Sequence, residues 1–332
     1  MREINISWKA VLVCSLCLCV AVLMIRGCAM SCAPREELMP TMDEAQCAEL
    51  TVLNRKTGKV MHMELEEYIA QVVAAEMPVS FEIEALKAQA VAARTFAVRR
   101  MAQYGGTPCG KADVCTDSTC CQAYRSLEQL KKNWGTAYET NFSRVRGAVL
   151  ATAGKVALYD GMPIEALYHS CSGGYTEDVV NVFAAALPYL VSVSSPGEES
   201  ATRYESEVRF SRKTFAATVN STYRTAKLTA KGLKKQIKIE ARFESGRVER
   251  IRLGGATLSG RELRKLFELD SANFKLRFTD EHVYVNTVGF GHGVGLSQYG
   301  ANAMAKEGDG YEDILEHYYT GITISDMSAV HK

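Results

Sequence analysis

Hydrophobic and polar positions along this chain repeat with two periods, and the switch between them marks its elements. Leu50–Leu65 alternates and predicts a hairpin, Leu50-Thr-Val-Leu53 then Val60-Met-His-Met-Glu-Leu65, turned at Arg55-Lys-Thr-Gly58. The period then lengthens. Ile69, Val72, Val73 and Glu76 stand at i, i+3, i+4 and i+7, one face of a helix that Pro78 ends. Ser80 offers an N-cap, with Glu82 and Glu84 in the first turn of a helix from Ile83 to about Gln103, stopped at Gly105-Gly106. Its alanines (85, 88, 90, 92, 93 and 97) allow close backbone approach, so it belongs at the centre, packed under the Glu76 helix. Ser126–Asn133 reads as helix, and Tyr138–Thr152 as a helix ending in a strand. Val156–Tyr168 reads as two short strands around Asp160-Gly161. From Tyr204 to Tyr284 alternation dominates: strands at Ile237–Phe243, Val248–Leu253, Phe274–Phe278 and Val283–Val285, with a helix at Arg261–Phe267. Two helices close the chain, Leu296–Glu307 and Tyr311–Tyr319, stopped by Gly308 and Gly321.

This pattern predicts an α+β protein with a helical catalytic core, mixed sheets and a strand-rich subdomain at about 204–285. The whole domain is expected over 49–325. Before it, Ala10–Ile25 is apolar between Lys9 and Arg26. At about 1.5 Å per residue it reaches roughly 24 Å against a hydrocarbon core of about 30 Å, a gap that Trp8 and snorkelling flanks could close. No small-x-small cleavage site follows, which favours a membrane anchor over residues 1–26 above a removed signal peptide. Residues 27–48 form a stalk without periodicity. The 332 residues carry 39 Lys and Arg against 38 Asp and Glu, a balance that argues against nucleic acid as a partner.

The candidate chemistry starts at Glu76. Its helical phase carries a carboxylate to the apolar side, at a helix end where a cleft can open. Burial there would hold the proton past the reference pKa of about 4.3, which suits an acid that protonates a leaving oxygen. The alternative is a helix-end residue whose tip reaches water. Tyr168-His169-Ser-Cys-Ser172-Gly-Gly-Tyr175-Thr-Glu177 offers hydroxyls, an imidazole and rings that can stack on sugars, or else an ordinary Gly-Gly turn. Gly289-Phe-Gly-His292-Gly-Val-Gly295-Leu-Ser-Gln298-Tyr-Gly300 lacks the residues of a P-loop or a dinucleotide fingerprint. Its glycines suit either flat contact with an extended ligand, with His292 and Gln298 as hydrogen-bonders, or one strand crossing another closely. Eleven cysteines are present, and four crowd into Cys109, Cys115, Cys120 and Cys121. That spacing suits zinc, or local disulfides in an oxidising compartment; Cys120, adjacent to Cys121, is expected to join tetrahedral geometry with difficulty.

Four stretches carry a resemblance: Glu67-x-Tyr-Ile-x-x-Val-Val-Ala-Ala-Glu76-Met-Pro, Glu84-Ala-Leu-Lys-Ala-Gln-Ala-Val-Ala-Ala-Arg94-Thr, His169-Ser-Cys-Ser-Gly-Gly-Tyr-Thr-Glu177 and Gly291-His-Gly-Val-Gly-Leu-Ser-Gln-Tyr-Gly300. In this order, across about 50–322, the chain resembles the stage II sporulation protein D family. The resemblance implies a lytic transglycosylase that cuts peptide-free peptidoglycan glycan strands during engulfment. It also implies a single-pass protein with its bulk outside the cytoplasm, in the engulfing membrane of the mother cell. The implied partners are the sporulation amidase/endopeptidase that strips the peptides and a polytopic membrane protein. The essential acid falls on Glu76. Arg94, Tyr168, His169, Ser172, Tyr175, His292 and Gln298 are then candidates to line the substrate groove. Some members hold zinc through a histidine and two cysteines; the cysteines match Cys115 and Cys121, and Cys109 stands at the histidine's place. Such a zinc is expected to be structural, bracing the loop beside the active site. The competing class is a non-catalytic wall-binding module that enhances an amidase.

Overall fold

The computed structural model describes residues 48–183 and 185–330. The apolar span at 10–25 and the stalk through Cys47 lie outside the described residues. No helix among the described residues is long and apolar enough to cross a membrane. The protein is α+β, with several small sheets set around packed helices.

Strands β1 (Glu49–Leu53) and β2 (Val60–Glu64) pair antiparallel, Leu50 opposite Met63. The Asn54 side chain accepts the Lys56 and Thr57 N–H groups and folds the turn between them. Helix α1 (Leu65–Glu76) follows directly and ends where Met77 turns extended ahead of Pro78. Helix α2 (Ile83–Val98) is the centre of the molecule, buried at every residue from Ala88 to Val98. Two expectations fail here. Ser80 does not cap α2: Glu82 holds the N-cap position, and its N–H bonds Asn302 Oδ1 at 2.8 Å. The helix also stops short of Gln103, because Arg99 and Arg100 turn away to the Glu165 carboxylate, at 3.0 and 2.8 Å.

Strand β3 (Val114–Cys115) adds parallel to β1. Helix α3 (Leu127–Trp134) starts from a capping box of Ser126 and Gln129. Helix α4 (Tyr138–Ala151) stays helical to its end, against the expected strand: Val145, Ala148 and Val149 fall on one buried face at i, i+3 and i+4. Strands β4 (Lys155–Tyr159) and β5 (Met162–Pro163) turn at Asp160-Gly161, both at positive φ. Short elements follow: β6 (Tyr168–His169), β7 (Gly174–Tyr175), α5 (Val179–Phe183) and β8 (Ser194–Ser195).

A second apolar cluster forms between β9 (Glu205–Ser211), α6 (Arg212–Thr222), α7 (Leu233–Gln236), β10 (Ile237–Arg242), β11 (Val248–Leu253), β12 (Ala256–Leu258), α8 (Gly260–Phe267), β13 (Phe274–Phe278) and β14 (His282–Val288). Two three-stranded sheets, ordered β10-β11-β12 and β13-β14-β9, enclose Phe215, Ile251, Leu263, Phe274 and Val285. The chain then returns to the first cluster. Strand β15 (Leu296–Ser297) lies parallel to β6, and α9 (Gln298–Glu307) and α10 (Tyr311–Tyr318) pack on α2. Strand β16 (Thr323–Asp326) pairs with β4.

Candidate active site

Glu76 is the last residue of α1, half-buried, where the helix's negative pole adds to the cost of a charge. Its Oε1 accepts the Ala123 N–H at 2.7 Å and lies 3.4 Å from the Tyr168 hydroxyl. A phenol has one proton, and the Tyr168 O–H is closer to Gln122 Oε1, at 2.8 Å. Gln122 in turn donates to the Tyr68 hydroxyl at 3.3 Å. Burial raises the Glu76 carboxyl above its usual range, although the Ala123 N–H, Gln298, Tyr168 and the Arg125 charge all favour the carboxylate. The result is an acid with one oxygen anchored and its proton held more tightly than in water.

The four clustered thiols converge: their Sγ atoms all lie within 4.8 Å of one another. The expected difficulty for Cys120 does not arise. The Asp117 carbonyl accepts the N–H of both Cys120 (3.1 Å) and Cys121 (2.7 Å), a turn tight enough to bring adjacent thiols to one point. The Cys115 N–H bonds Cys121 Sγ at 3.3 Å. All four thiols are free, so the local disulfides held open by the sequence do not form here. Four thiolates around one zinc at about 2.3 Å would stand roughly 3.8 Å apart, so donor type and spacing fit that ion. The Arg55 guanidinium lies 3.9 Å from Cys109 and 3.8 Å from Cys120 Sγ, a cation placed against a site that gathers negative charge. Directly after the cluster come Gln122 and Ala123, the two residues that hold Tyr168 and Glu76.

The other expected groove residues separate. Gln298, at the start of α9, is buried near Glu76, its Nε2 3.3 Å from Gln89 Oε1. His169 is buried; its Nδ1 reaches the Val294 carbonyl at 3.2 Å, which places the proton there and leaves Nε2 without a partner among the described residues. Burial pushes His169 far below the ordinary imidazole range and His292 down to about 4, so both rings are neutral at pH 7. Their centroids are 5.5 Å apart. Tyr175 is 52 % exposed. Ser172 faces inward and donates to Glu198 at 2.7 Å. Arg94 is fully buried and lines no groove: it forks onto Glu66 at 2.8 and 2.6 Å and reaches the carbonyls of Lys155 and Val149. The alternating glycines, too, serve packing. A Cβ on Gly291 would sit 2.8 Å from His169 Cβ, and one on Gly295 would strike the Leu167 carbonyl. These are places where the chain passes close to itself, as the second reading of this stretch has it.

Sequence reasoning missed Gln122, Ala123, Glu66 and Glu198. Ala123 acts through its backbone and has no side-chain signal. Glu66 reads as an ordinary first-turn acid. Glu198 accepts the hydroxyls of Ser172, Ser195 and Ser297 and the Gly173 N–H, tying together segments that are far apart in sequence.

Comparison with known proteins adds to this geometry. The profile of the family described as Stage II sporulation protein (SpoIID) matches residues 53–159. Stage II sporulation protein D of Bacillus subtilis (strain 168) is 41% identical over 286 residues, 86% of this chain and 81% of that protein. The protein of that name from Bacillus amyloliquefaciens is 37% identical, covering 94% of each. More distantly, the Amidase enhancer of Bacillus subtilis (strain 168) is 28% identical over 76% of this chain and 40% of its own length.

Proposed function

The chain belongs to the stage II sporulation protein D family, a sporulation family, and from that premise we propose that it is a peptidoglycan lytic transglycosylase with Glu76 as its catalytic acid and base. The observation that carries the proposal is the state of Glu76: a carboxyl at a helix end, desolvated, with Oε1 fixed by the Ala123 N–H.

In the reaction, protonated Glu76 donates to the oxygen linking C1 of N-acetylmuramic acid to C4 of N-acetylglucosamine. The C1–O bond breaks and the glucosamine leaves with a free hydroxyl. The muramyl C6 hydroxyl closes on C1, and its proton passes to the Glu76 carboxylate. The products are a 1,6-anhydromuramic end and a regenerated acid. An ordinary glycosidase needs a second carboxylate to bring or activate a nucleophile. Here the substrate supplies its own, so one acid suffices. Tyr168 and Gln122 orient the acid, and Gln298 supports the carboxylate form after donation.

Cys109, Cys115, Cys120 and Cys121 would hold a zinc ion. Such a four-thiolate ion supplies rigidity and has no open position for substrate. The rigid loop keeps the Ala123 N–H on Glu76 and Gln122 on Tyr168. The chain acts outside the cytoplasm, next to the amidase/endopeptidase that clears peptides from its glycan and the polytopic membrane partner.

Mass spectrometry of digests of peptide-free glycan tests the proposal. Wild-type protein alone should release anhydro-ended saccharides, and Glu76→Gln should release none. The likeness to an amidase enhancer motivates the second reading, wall binding without cleavage. Absence of anhydro ends from wild-type digests, with glycan still bound, would select it.

A further inference from the structure

Beside the acid's loop lies a groove of about 430 Å³ whose wall includes Cys121 and Leu167, the neighbours in sequence of Gln122 and Tyr168. Its charged lining is mostly cationic: Arg100, Arg247, Arg261 and Arg264 against the single carboxylate of Glu177. That carboxylate is already engaged, by the Asp178 N–H, Asn181 and Ser245. Arg100 is paired with Glu165. Arg247 spends both terminal nitrogens on the carbonyls of Tyr175 and Ser172, and its buried Nε has no partner among the described residues. Arg261 is exposed and makes no ion pair there, while Arg264 has only the Leu269 carbonyl. A second groove of about 780 Å³ shares Arg261 and Arg264 and continues past Phe290. Its Asp270 is paired with Arg203 and its Glu262 caps α8, which leaves Glu268 as its one unengaged acid. The two arginines therefore line both grooves, and each groove has a cationic excess.

We propose that Arg261 and Arg264 form the subsite that reads the free lactyl carboxylates of peptide-free glycan. The inference rests on the lytic reading above for its substrate. Its chemistry is separate from cleavage. A stem peptide is attached through an amide at the lactyl carbonyl, so peptide removal creates a carboxylate at each muramic residue. A guanidinium fork matches a carboxylate in shape and charge and gains little from the amide. Burial lowers Arg264 below its ordinary value; the nearby Asp270 carboxylate offsets part of this and the Arg261 charge adds to it, and a bound anion would relieve what remains. His292 and Phe183, rings 5.5 Å apart on the wall of the first groove, offer an apolar face for a sugar beside the charges. Preference for stripped glycan then follows from electrostatics at these two arginines.

The test uses full-length protein carrying Glu76→Gln, so that binding is read without turnover. The probes are peptide-free glycan strands cleared of phosphodiester polymers, and the same strands with lactyl carboxylates converted to methylamides. Titration calorimetry should show the carboxylate strands bound at least about ten-fold tighter, the scale of one charge-assisted contact. Adding Arg261→Gln and Arg264→Gln should abolish that preference, and Arg264→Lys should keep part of it. Equal binding of the two glycans, or an unchanged preference in the double variant, would overturn the proposal. The methylamide comparison needs no arginine variant, so misfolding of one cannot shield the idea. Anhydro products from wild-type protein are scored separately. Products without carboxylate preference would sink this inference alone, and preference without products would sink the lytic reading alone.

Discussion

Replacing Arg94 tests whether the second motif exists for stability or for substrate. Arg94 is 0 % and Glu66 5 % exposed, and the two share a bidentate contact. The pair locks α2 to the first turn of α1, and the remaining guanidinium donors serve the carbonyls of Lys155 and Val149, at 3.0 and 3.2 Å. Arg94→Met keeps most of the volume but leaves Glu66 with only the Gly154 N–H at 3.1 Å. Removing one partner of a buried pair costs about 3–5 kcal/mol. At about 2–4 °C per kcal/mol for a domain of this size, the melting temperature should drop by roughly 6–20 °C. Arg94→Lys should also destabilise, because an ammonium cannot replace the fork. The double variant Arg94→Met/Glu66→Leu should recover much of the loss, since no charge is then stranded. Scanning calorimetry reads all three. If Arg94→Met melts with wild type yet binds glycan more weakly, the side chain belongs to the groove and the stability argument is wrong.

Glu76→Gln should lower turnover about 10²–10⁴-fold or more without lowering the melting temperature, because it replaces a carboxyl whose charged form the fold disfavours. The sign follows from the raised pKa: turnover should fall as pH climbs through the folded value, where the proton to be donated is lost. Stability should decline over the window from the unfolded value, about 4.5, up to the folded one. Both limbs should vanish in the glutamine variant, and a wild-type pH–stability curve unchanged by it would remove the assigned shift. Cys115→Ser, at a fully buried thiol, should lower metal content in elemental analysis and speed hydrogen exchange at the Ala123 amide. Unchanged exchange there would break the link between cluster and acid. Glu198→Gln puts an amide NH₂ among donors from Ser172, Gly173, Ser195 and Ser297, so thermal melts should show a loss of about 2–4 kcal/mol despite equal size.

The first apolar cluster was legible in sequence because burial follows period there. The hairpin and α1 were placed from apolar spacing, α2 from its first-turn acids and glycine stop, and both closing helices from their glycine stops. Strands β11 and β13 matched to the residue, since their alternation coincides with a half-buried sheet. Strand β9 and helix α6 were missed because β9 has no fully buried residue and α6 is mostly polar. The strand expected at the end of α4 shows the opposite error, since the spacing of Val145, Ala148 and Val149 already points to a helix. In each case the burial a segment finds, which other segments decide, outweighs its local preference.

The site was legible only where a side chain carries the chemistry. Glu76 stood out because a charge sat out of phase with its helix. What tunes that charge comes from residues 122–123, 168 and 298, and the decisive donor is a main-chain amide that any residue but proline could supply. The glycine-rich stretch left two readings open for a related reason. Glycine marks close approach but not what approaches, and at Gly291 and Gly295 it is the protein's own backbone and His169. The cationic grooves were invisible because net charge is nearly zero and the first groove's arginines come from the turn after α2, from α8 and from the segment before β11. Balanced composition argues against a polyanion only when charges are mixed in space. Here the fold pairs Arg99 and Arg100 with Glu165 and leaves Arg261 and Arg264 without carboxylate ion pairs among the described residues. The specificity proposed for this protein therefore lies in how the fold distributes its charges, with recognition of stripped glycan on the arginines and cleavage on a single acid whose proton is held more tightly than in water.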